Sequence, residues 1–164
     1  AEVSVGSTPT LRAIDDLTGI TEARPGNYIF NDFFQSAIGS CDLDDVAFSV
    51  LATVISVDPE QARAIVDAGA LALSKDPGPT HVDPACGFGL PVTVEDQHPL
   101  PGLRIVGLTQ EHGALTGPGV EALHPGTRLR IFPNHSCLSA ACFNRYRVVR
   151  GTEVVDEWRP VRCW

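Results

Sequence analysis

The sequence predicts a mainly β fold: an antiparallel β-barrel or sandwich, preceded by the last βα segment of an α/β barrel. In the second half, short segments rich in β-branched residues recur between turns that contain Gly or Pro, a pattern typical of barrels and sandwiches. Near the N terminus, in contrast, a short β-type run leads through small hydroxyl residues into a helix-like stretch. No apolar run is long enough to cross a bilayer, so we expect no membrane-spanning segment.

The composition is that of a folded domain, with 43% hydrophobic and 20% charged residues among 164. A net charge of −8 argues against nucleic acid or an anionic membrane as the main partner. The cysteines are odd in number and irregularly spaced, which argues against a secreted disulfide scaffold and favours a reducing cytoplasm. They are Cys41, Cys86, Cys137, Cys142 and Cys163.

The first candidate binding turn follows the β-type run Val3–Gly6 and precedes a helix-like stretch over Leu11–Leu17. Gly6, Ser7 and Thr8 would offer backbone N–H groups and hydroxyls to an anion. Alternatively, Ser7 or Thr8 simply caps the helix.

A second turn of this kind follows at Arg24–Asn27, before the strand-like segment Tyr28–Phe30. Two Gly-containing turns could close around one phosphate from two sides. Neither turn matches the nucleotide P-loop pattern, so we expect a small anion such as a cofactor monophosphate.

The β-branched run Val46–Val57 predicts a long, largely buried strand. A turn at Asp58–Gln61 then leads to a returning strand over Ala62–Ala68, although a helix over Ala62–Leu73 is an alternative that Val66 and Gly69 weaken. The Pro- and Gly-rich segment Ser74–Leu103 predicts a loop.

Strand signals resume at Arg104–Leu108 and at Arg128–Phe132. The segments Arg145–Arg150 and Glu153–Trp158, separated by a Gly-Thr turn, predict a hairpin. Within the preceding loop, His81 and Cys86 have no partner at ligand spacing, and we interpret both as structural.

His135 and Cys137 form the candidate metal site. In an extended backbone, residues two apart point to the same side, so an imidazole and a thiolate would face one point and suit zinc. Two protein ligands leave coordination positions open, which favours a catalytic site. Alternatively, both residues are structural, since Cys is commonly buried.

Five motifs in this order resemble one enzyme family across essentially the whole chain: Ser4–Thr10, Thr21–Tyr28, Asp67–Ala70 with Leu73–Asp76, Glu111–Gly113 and Pro133–Cys137. The chain resembles the C-terminal part of the D-threonine aldolase and D-serine dehydratase family, pyridoxal phosphate enzymes of fold type III with an alanine-racemase-type fold.

The resemblance implies a two-domain enzyme, in which residues 1–30 are terminal segments of a pyridoxal phosphate-binding α/β barrel. Residues 31–164 would be a C-terminal β domain that carries zinc on His135 and Cys137. The cofactor phosphate would lie against Gly6, Ser7, Thr8, Gly26, Asn27 and Tyr28.

The implied function is that of a lyase acting on D-3-hydroxy amino acids, as part of a whole enzyme that is a homodimer. In this family the second metal ligand is Asp in aldolases and Cys in zinc-dependent dehydratases, so Cys137 favours β-elimination of the D-serine dehydratase kind. Retro-aldol cleavage of the D-threonine aldolase kind is the alternative. A catalytically silent β domain is another alternative, should the chain be complete.

The lysine that forms the Schiff base in this family lies on the barrel, whereas this sequence contains only Lys75, at a different position. We therefore expect the chain to need a missing N-terminal barrel portion and to be inactive, and poorly soluble, in isolation. Glu111 and His112 are hypothesised to line the metal side of the pocket, with His112 in a position to orient His135. An ordinary turn pair is the alternative.

Overall fold

The computed structural model describes residues 1–161; the C-terminal Cys163 thus lies outside the described residues. Over that range strands outnumber helices and confirm the mainly β prediction. No helix of the described range combines the length and apolarity that crossing a bilayer requires. In chain order the elements are β1 (Ser4–Gly6), α1 (Thr8–Ala13), β2 (Glu22–Arg24), α2 (Phe33–Ala37), β3 (Val50–Asp58), β4 (Arg63–Val66), α3 (Ala70–Leu73), β5 (Leu90–Val92), β6 (Arg104–Leu108), β7 (Gly113–Thr116), β8 (Arg128–Phe132), α4 (Ser136–Ala140), β9 (Tyr146–Arg150) and β10 (Glu153–Trp158).

Six strands form one antiparallel sheet in the order β5-β8-β3-β4-β7-β6. The sheet curls so that its two edges meet. Phe88, just before β5, donates its backbone N–H to the carbonyl of Ile105 in β6, with an N–O distance of 2.8 Å. This contact gives the sheet the form of a barrel and confirms the predicted antiparallel architecture.

The core lies on the inner face of this sheet. Alternate residues of β3 are buried there, namely Val50, Ala52 and Val54. Ile105 and Leu115 from β6 and β7 are fully buried in the same cluster. A second, smaller cluster joins β5 and β8 to α2, and its members are Val46, Leu90, Val92 and Phe132, with Phe33 and Leu43 packed against them.

The long strand predicted over Val46–Val57 is present, but the prediction was wrong about its first residue and about its burial on both faces. β3 begins at Val50, and its outward side chains Leu51 and Ile55 are 49% and 44% exposed. One face of an antiparallel sheet commonly remains solvated, and a run of β-branched residues does not distinguish one-sided from two-sided burial.

The structure confirms the turn at Asp58–Gln61 and the returning strand, which is β4. The loop predicted over Ser74–Leu103 is largely irregular, but it contains β5. A strand of three residues, one of them Pro91, leaves too short a pattern for sequence analysis to detect.

Two local predictions near the N terminus were wrong. The first helix covers Thr8–Ala13 rather than Leu11–Leu17, with Pro9 in its first turn and extended backbone at Ile14. The segment Tyr28–Phe30 is a turn, because the amides of Phe30 and Asn31 both donate to the carbonyl of Asn27.

β1 and β2 pair in parallel, with α1 between them in sequence, and form a small βαβ unit separate from the main sheet. At the other end of the described chain, β9 and β10 form the predicted hairpin, also outside the main sheet. A salt bridge links its two strands, with Arg147 Nη1 2.6 Å from Glu157 Oε2.

We predict that Leu115→Ala lowers the free energy of unfolding by about 2–5 kcal/mol, because the side chain is fully buried and its removal leaves a cavity. Leu71→Ala is the matched control: Leu71 is 56% exposed, and we expect a change within about 0.5 kcal/mol. Urea denaturation followed by circular dichroism measures both. Equal losses for the two variants would contradict this description of the core.

Candidate metal and anion sites

His135 and Cys137 follow directly after β8, at the start of α4. His135 is the N-cap, with extended dihedrals (φ −135°, ψ 103°), and Cys137 lies in the first helical turn. The condition of extended backbone through both residues is therefore not met. The helix begins between them, so sequence spacing alone does not place the two side chains on the same side.

The pairing of β5 with β8 brings a third residue to this turn. Leu90 pairs with Phe132 in antiparallel register, so the segment before β5 lies beside the segment after β8. Asp76 comes from that segment, and its Oδ2 lies 3.2 Å from His135 Nδ1. If the neutral imidazole carries its proton on Nδ1, that N–H donates to Asp76 and the Nε2 lone pair is free for a ligand.

Asn134 holds these two segments together. It is buried, and its side-chain amide donates to the carbonyls of Asp76 (2.9 Å) and Gly87 (2.8 Å). Gly78 makes this close approach possible, since a Cβ there would lie 2.5 Å from Asn134 Nδ2 and its φ of +68° suits glycine. Asn134 and Gly78 thus fix the backbone on both sides of the Asp76–His135 contact.

The thiol of Cys137 has a raised pKa, first because it is partly desolvated and second because the Asp32 carboxylate is nearby. No group of three or more His, Cys, Asp and Glu side chains suited to a metal occurs within residues 1–161. Any metal site built on His135 and Cys137 would therefore have at most two ligands from the described residues. Nitrogen and sulfur donors fit zinc, with the remaining positions left to water or substrate.

The two candidate anion turns lie side by side. Gly6 pairs with Arg24, and the backbone N–H of Asn27 donates to Thr8 Oγ1 at 3.0 Å. Ser7 is the N-cap of α1, but its hydroxyl makes no capping hydrogen bond, so the simple cap alternative finds no support at Ser7. Its φ of +78° is unusual for a non-glycine residue, and such backbone strain is concentrated at functional sites.

Gly26 and Tyr28 are exposed on this side, with Tyr28 57% exposed. An adjacent cavity of about 410 Å³ is lined by Thr8, Arg12 and Ser40, among others, and also by the carboxylate-bearing Asp45. Ser40 Oγ is buried and without a hydrogen-bond partner among the described residues. A small anion such as a phosphate fits this place. The two turns offer hydroxyl and amide donors, and the guanidinium of Arg12 is nearby.

Glu111 and His112 line a separate cavity of about 330 Å³, together with Asp67 and Gly69. The backbone of His112 closes a turn with Thr109. His135 is contacted at Nδ1 by Asp76 instead, so the hypothesis that His112 orients His135 finds no support.

Sequence reasoning missed Asp76 as a site residue, although it lies in one of the five family motifs. Lys75, next to it, is exposed. His81 and Cys86 agree with their structural interpretation: the His81 ring lies 5.7 Å from that of Phe34, and the Cys86 thiol donates to the Pro77 carbonyl.

Residues 47–149 match the family model described as "Putative serine dehydratase domain". D-threo-3-hydroxyaspartate dehydratase from Delftia sp. is 40% identical over 99% of this chain and 44% of its own length. Its solved structure superposes with a TM-score of 0.89 over 99% of this chain and 45% of that one. The same enzyme has been solved with a histidine replaced by alanine, and with a cysteine two positions further on replaced by alanine in a metal-free form.

D-serine dehydratase from Dictyostelium discoideum is 36% identical over 99% of this chain and 43% of its length. An uncharacterized protein of Mycobacterium tuberculosis is 33% identical over 80% of this chain and 94% of its length. The barrel-like β fold with its His-Ser-Cys turn is that of a lyase-family domain. The chain belongs to the serine dehydratase domain family, and it spans less than half the length of the curated dehydratases it matches.

We predict that Cys86 reacts with iodoacetamide much more slowly than the exposed Cys142 in the folded protein. Cys86 is fully buried, and that burial raises the pKa of its thiol, while the thiolate is the nucleophile. Its rate should therefore rise as the pH increases. Peptide mapping by mass spectrometry at two pH values measures both rates, and equal labelling of the two cysteines in folded protein would contradict the packing described.

Proposed function

We propose that this chain is the C-terminal part of a pyridoxal phosphate- and zinc-dependent lyase that removes water from a D-3-hydroxy amino acid by β-elimination. The observation that carries the proposal is the pairing of His135 with Asp76 in a chain 40% identical to a D-threo-3-hydroxyaspartate dehydratase. A histidine held by a carboxylate, with its other nitrogen free, is the usual arrangement of a metal ligand.

We propose the domain division stated above, with residues 1–30 belonging to the cofactor barrel and residues 31–164 to the β domain. The parallel pairing of β1 with β2 around α1 supports it, because parallel βαβ units are the building blocks of α/β barrels. The main sheet is antiparallel throughout, as a separate β domain would be.

The cofactor phosphate would be held by the two adjacent turns. Pyridoxal phosphate, when bound, supplies an electron sink for cleavage at the α-carbon. Backbone amides and hydroxyls would bind its phosphate, and the 3.0 Å contact between Asn27 and Thr8 keeps the two turns together. The residues proposed to bind it are Gly6, Ser7, Thr8, Gly26, Asn27 and Tyr28.

Zinc would be held by His135 and Cys137, and when bound it supplies a Lewis acid for a hydroxyl leaving group. The alanine variants of the Delftia enzyme support this assignment, since they replace a histidine and a cysteine at the same spacing, and the cysteine variant was solved in a metal-free form. With its proton on Nδ1, His135 would donate to Asp76, and Asn134 holds the backbone of Asp76 in place. The thiol of Cys137 must lose its proton to bind the metal.

We predict that Asp76→Asn weakens zinc binding about 10- to 100-fold, because the amide no longer holds the imidazole through a charged acceptor. Asp83→Asn is the control: Asp83 caps the amide of Ala85 in the same loop and makes no contact with His135. Competition with a chromophoric chelator gives both affinities, and His135→Ala sets the value for a lost ligand. Unchanged affinity in Asp76→Asn would remove Asp76 from the site.

The reaction is tested with the complete protein loaded with pyridoxal phosphate and zinc. We expect D-serine and D-threo-3-hydroxyaspartate to yield ammonia and a 2-oxo acid, at a rate that falls when zinc is chelated. The aldolase alternative instead predicts glycine and acetaldehyde from D-threonine. Product analysis by chromatography separates the two, and formation of neither product pair would refute the proposed lyase.

A second candidate is a β domain that retains the family fold without catalysis. The relative from Mycobacterium tuberculosis supports it, because 94% of that protein is covered by a match to 80% of this chain. The absorbance of the native sample in the pyridoxal imine band, together with its intact mass, discriminates the candidates. A 17.5 kDa species without that band favours the silent domain.

From the family resemblance we also propose that the whole enzyme is a cytoplasmic homodimer. The four described cysteines are free thiols, which agrees with a reducing compartment.

A further inference from the structure

The buried carboxylate of Asp32 lies between the two proposed sites. Asp32 is 1% exposed, and none of the ion pairs among the described residues involves it. Its oxygens accept from three uncharged donors instead: the backbone N–H groups of Gln35 and Ser136, each at 2.9 Å, and the side-chain amide of Asn27. Hydrogen bonds of this kind are what make a buried carboxylate tolerable.

Two of these donors belong to the two sites. Ser136 is the residue between the proposed metal ligands, and Asn27 belongs to the proposed phosphate turn. The two residues also contact each other, because Ser136 Oγ donates to Asn27 Oδ1 at 2.6 Å. Asn27 in turn donates its backbone N–H to Thr8 Oγ1. A continuous path of hydrogen bonds thus joins Thr8 to Ser136.

A purely local role does not account for this arrangement. Asp32 is the N-cap of α2, and that role needs only the contact from Oδ1 to the amide of Gln35. The second oxygen, Oδ2, accepts from residues on two other segments, one of them 104 positions away in the chain. The backbone adds a further contact, in which Phe33 donates to the Pro133 carbonyl at 3.1 Å.

We propose that Asp32 is a positioning residue that couples the metal site to the phosphate turns. Its Oδ2 fixes the backbone amide of Ser136, and thereby the directions in which His135 and Cys137 leave the chain. Through Asn27 it also fixes the phosphate turn. A phosphate that orders Asn27 therefore lowers the entropy cost of ordering the ligand turn, and metal affinity rises. By linkage, zinc raises the affinity for the cofactor by the same factor.

This inference rests on the proposed function, since it assumes both sites. The probes are zinc and pyridoxal phosphate, added to the complete protein. In the unsubstituted protein we expect zinc affinity to fall by about five-fold or more when pyridoxal phosphate is removed. In Asp32→Asn we expect weak zinc binding that no longer depends on the cofactor.

Asn is the informative substitution, because it caps helices about as well as Asp, and its oxygen can still accept from Gln35. Its amide group, however, would face the N–H of Ser136 and the side-chain amide of Asn27, which are donors. Asp67→Asn is the control for the same carboxylate-to-amide change at an exposed position, since Asp67 also accepts from a backbone amide, that of Thr53, away from both sites. The cobalt(II) absorption spectrum adds a readout that fold stability alone would not change, because it reports coordination by the thiolate.

Ser136→Ala is a second variant, which keeps the backbone amide that donates to Asp32 and removes the hydroxyl that contacts both Asn27 and the Cys137 thiol. We expect it to retain zinc binding with a reduced dependence on the cofactor. Thermal unfolding of each variant checks that the fold is intact.

Retention of both the zinc affinity and its cofactor dependence in Asp32→Asn would overturn the inference while leaving the proposed function in place. An equal loss in Asp67→Asn would assign the effect to general destabilisation and overturn it as well. If the unsubstituted protein binds no zinc, the inference and the proposed function fail together.

Discussion

The antiparallel pairing of β5 with β8 is the constraint on which the candidate metal site depends. Because the two strands run in opposite directions, the entry to β5 and the exit from β8 lie at the same end of the sheet. The entry carries Asp76 and the exit carries His135, residues 59 positions apart in sequence. The closing contact between Phe88 and Ile105 holds the edge strand β5 against β6 as well, so this end of the sheet is supported on both sides.

Around that end the molecule buries an unusual set of polar groups. Asp32, Asn134 and Ser136 are each at most 1% exposed, and all three make hydrogen bonds that bridge distant segments. Buried polar groups need well-placed partners. Asp32 and Ser136 have them, whereas Asn134 Oδ1 is buried without a hydrogen-bond partner among the described residues. A network of this kind specifies one arrangement of the segments that meet there. It is therefore suited to hold the two proposed metal ligands, His135 in extended backbone and Cys137 in the first turn of the helix.

The relatives identify the domain, but they do not identify the kind of protein to which this domain belongs. A chain that covers less than half of the dehydratases it matches has the fold of one portion of them, while the Mycobacterium protein has nearly its full length within the match. The same β domain thus occurs in proteins of quite different length. The two kinds of relative imply different roles for the small parallel unit formed by β1, α1 and β2. In a protein like the long dehydratases it would be the end of a cofactor barrel, and in one like the short Mycobacterium protein it would be an N-terminal extension of the β domain.

The sequence by itself determined the fold class, the turn at Asp58–Gln61, the terminal hairpin and the family, because turn residues, β-branched runs and ordered motifs are local signals. It also singled out His135 and Cys137 by their chemistry. It could not place a helix boundary between them, and it mistook the turn at Tyr28–Phe30 for a strand, because a few residues of high β-propensity are compatible with either. Only the tertiary structure decided that Asp76 contacts His135 and that Asp32 joins Asn27 to Ser136. Those contacts depend on strand order and on the satisfaction of buried polar groups, and neither leaves a periodic pattern in the sequence.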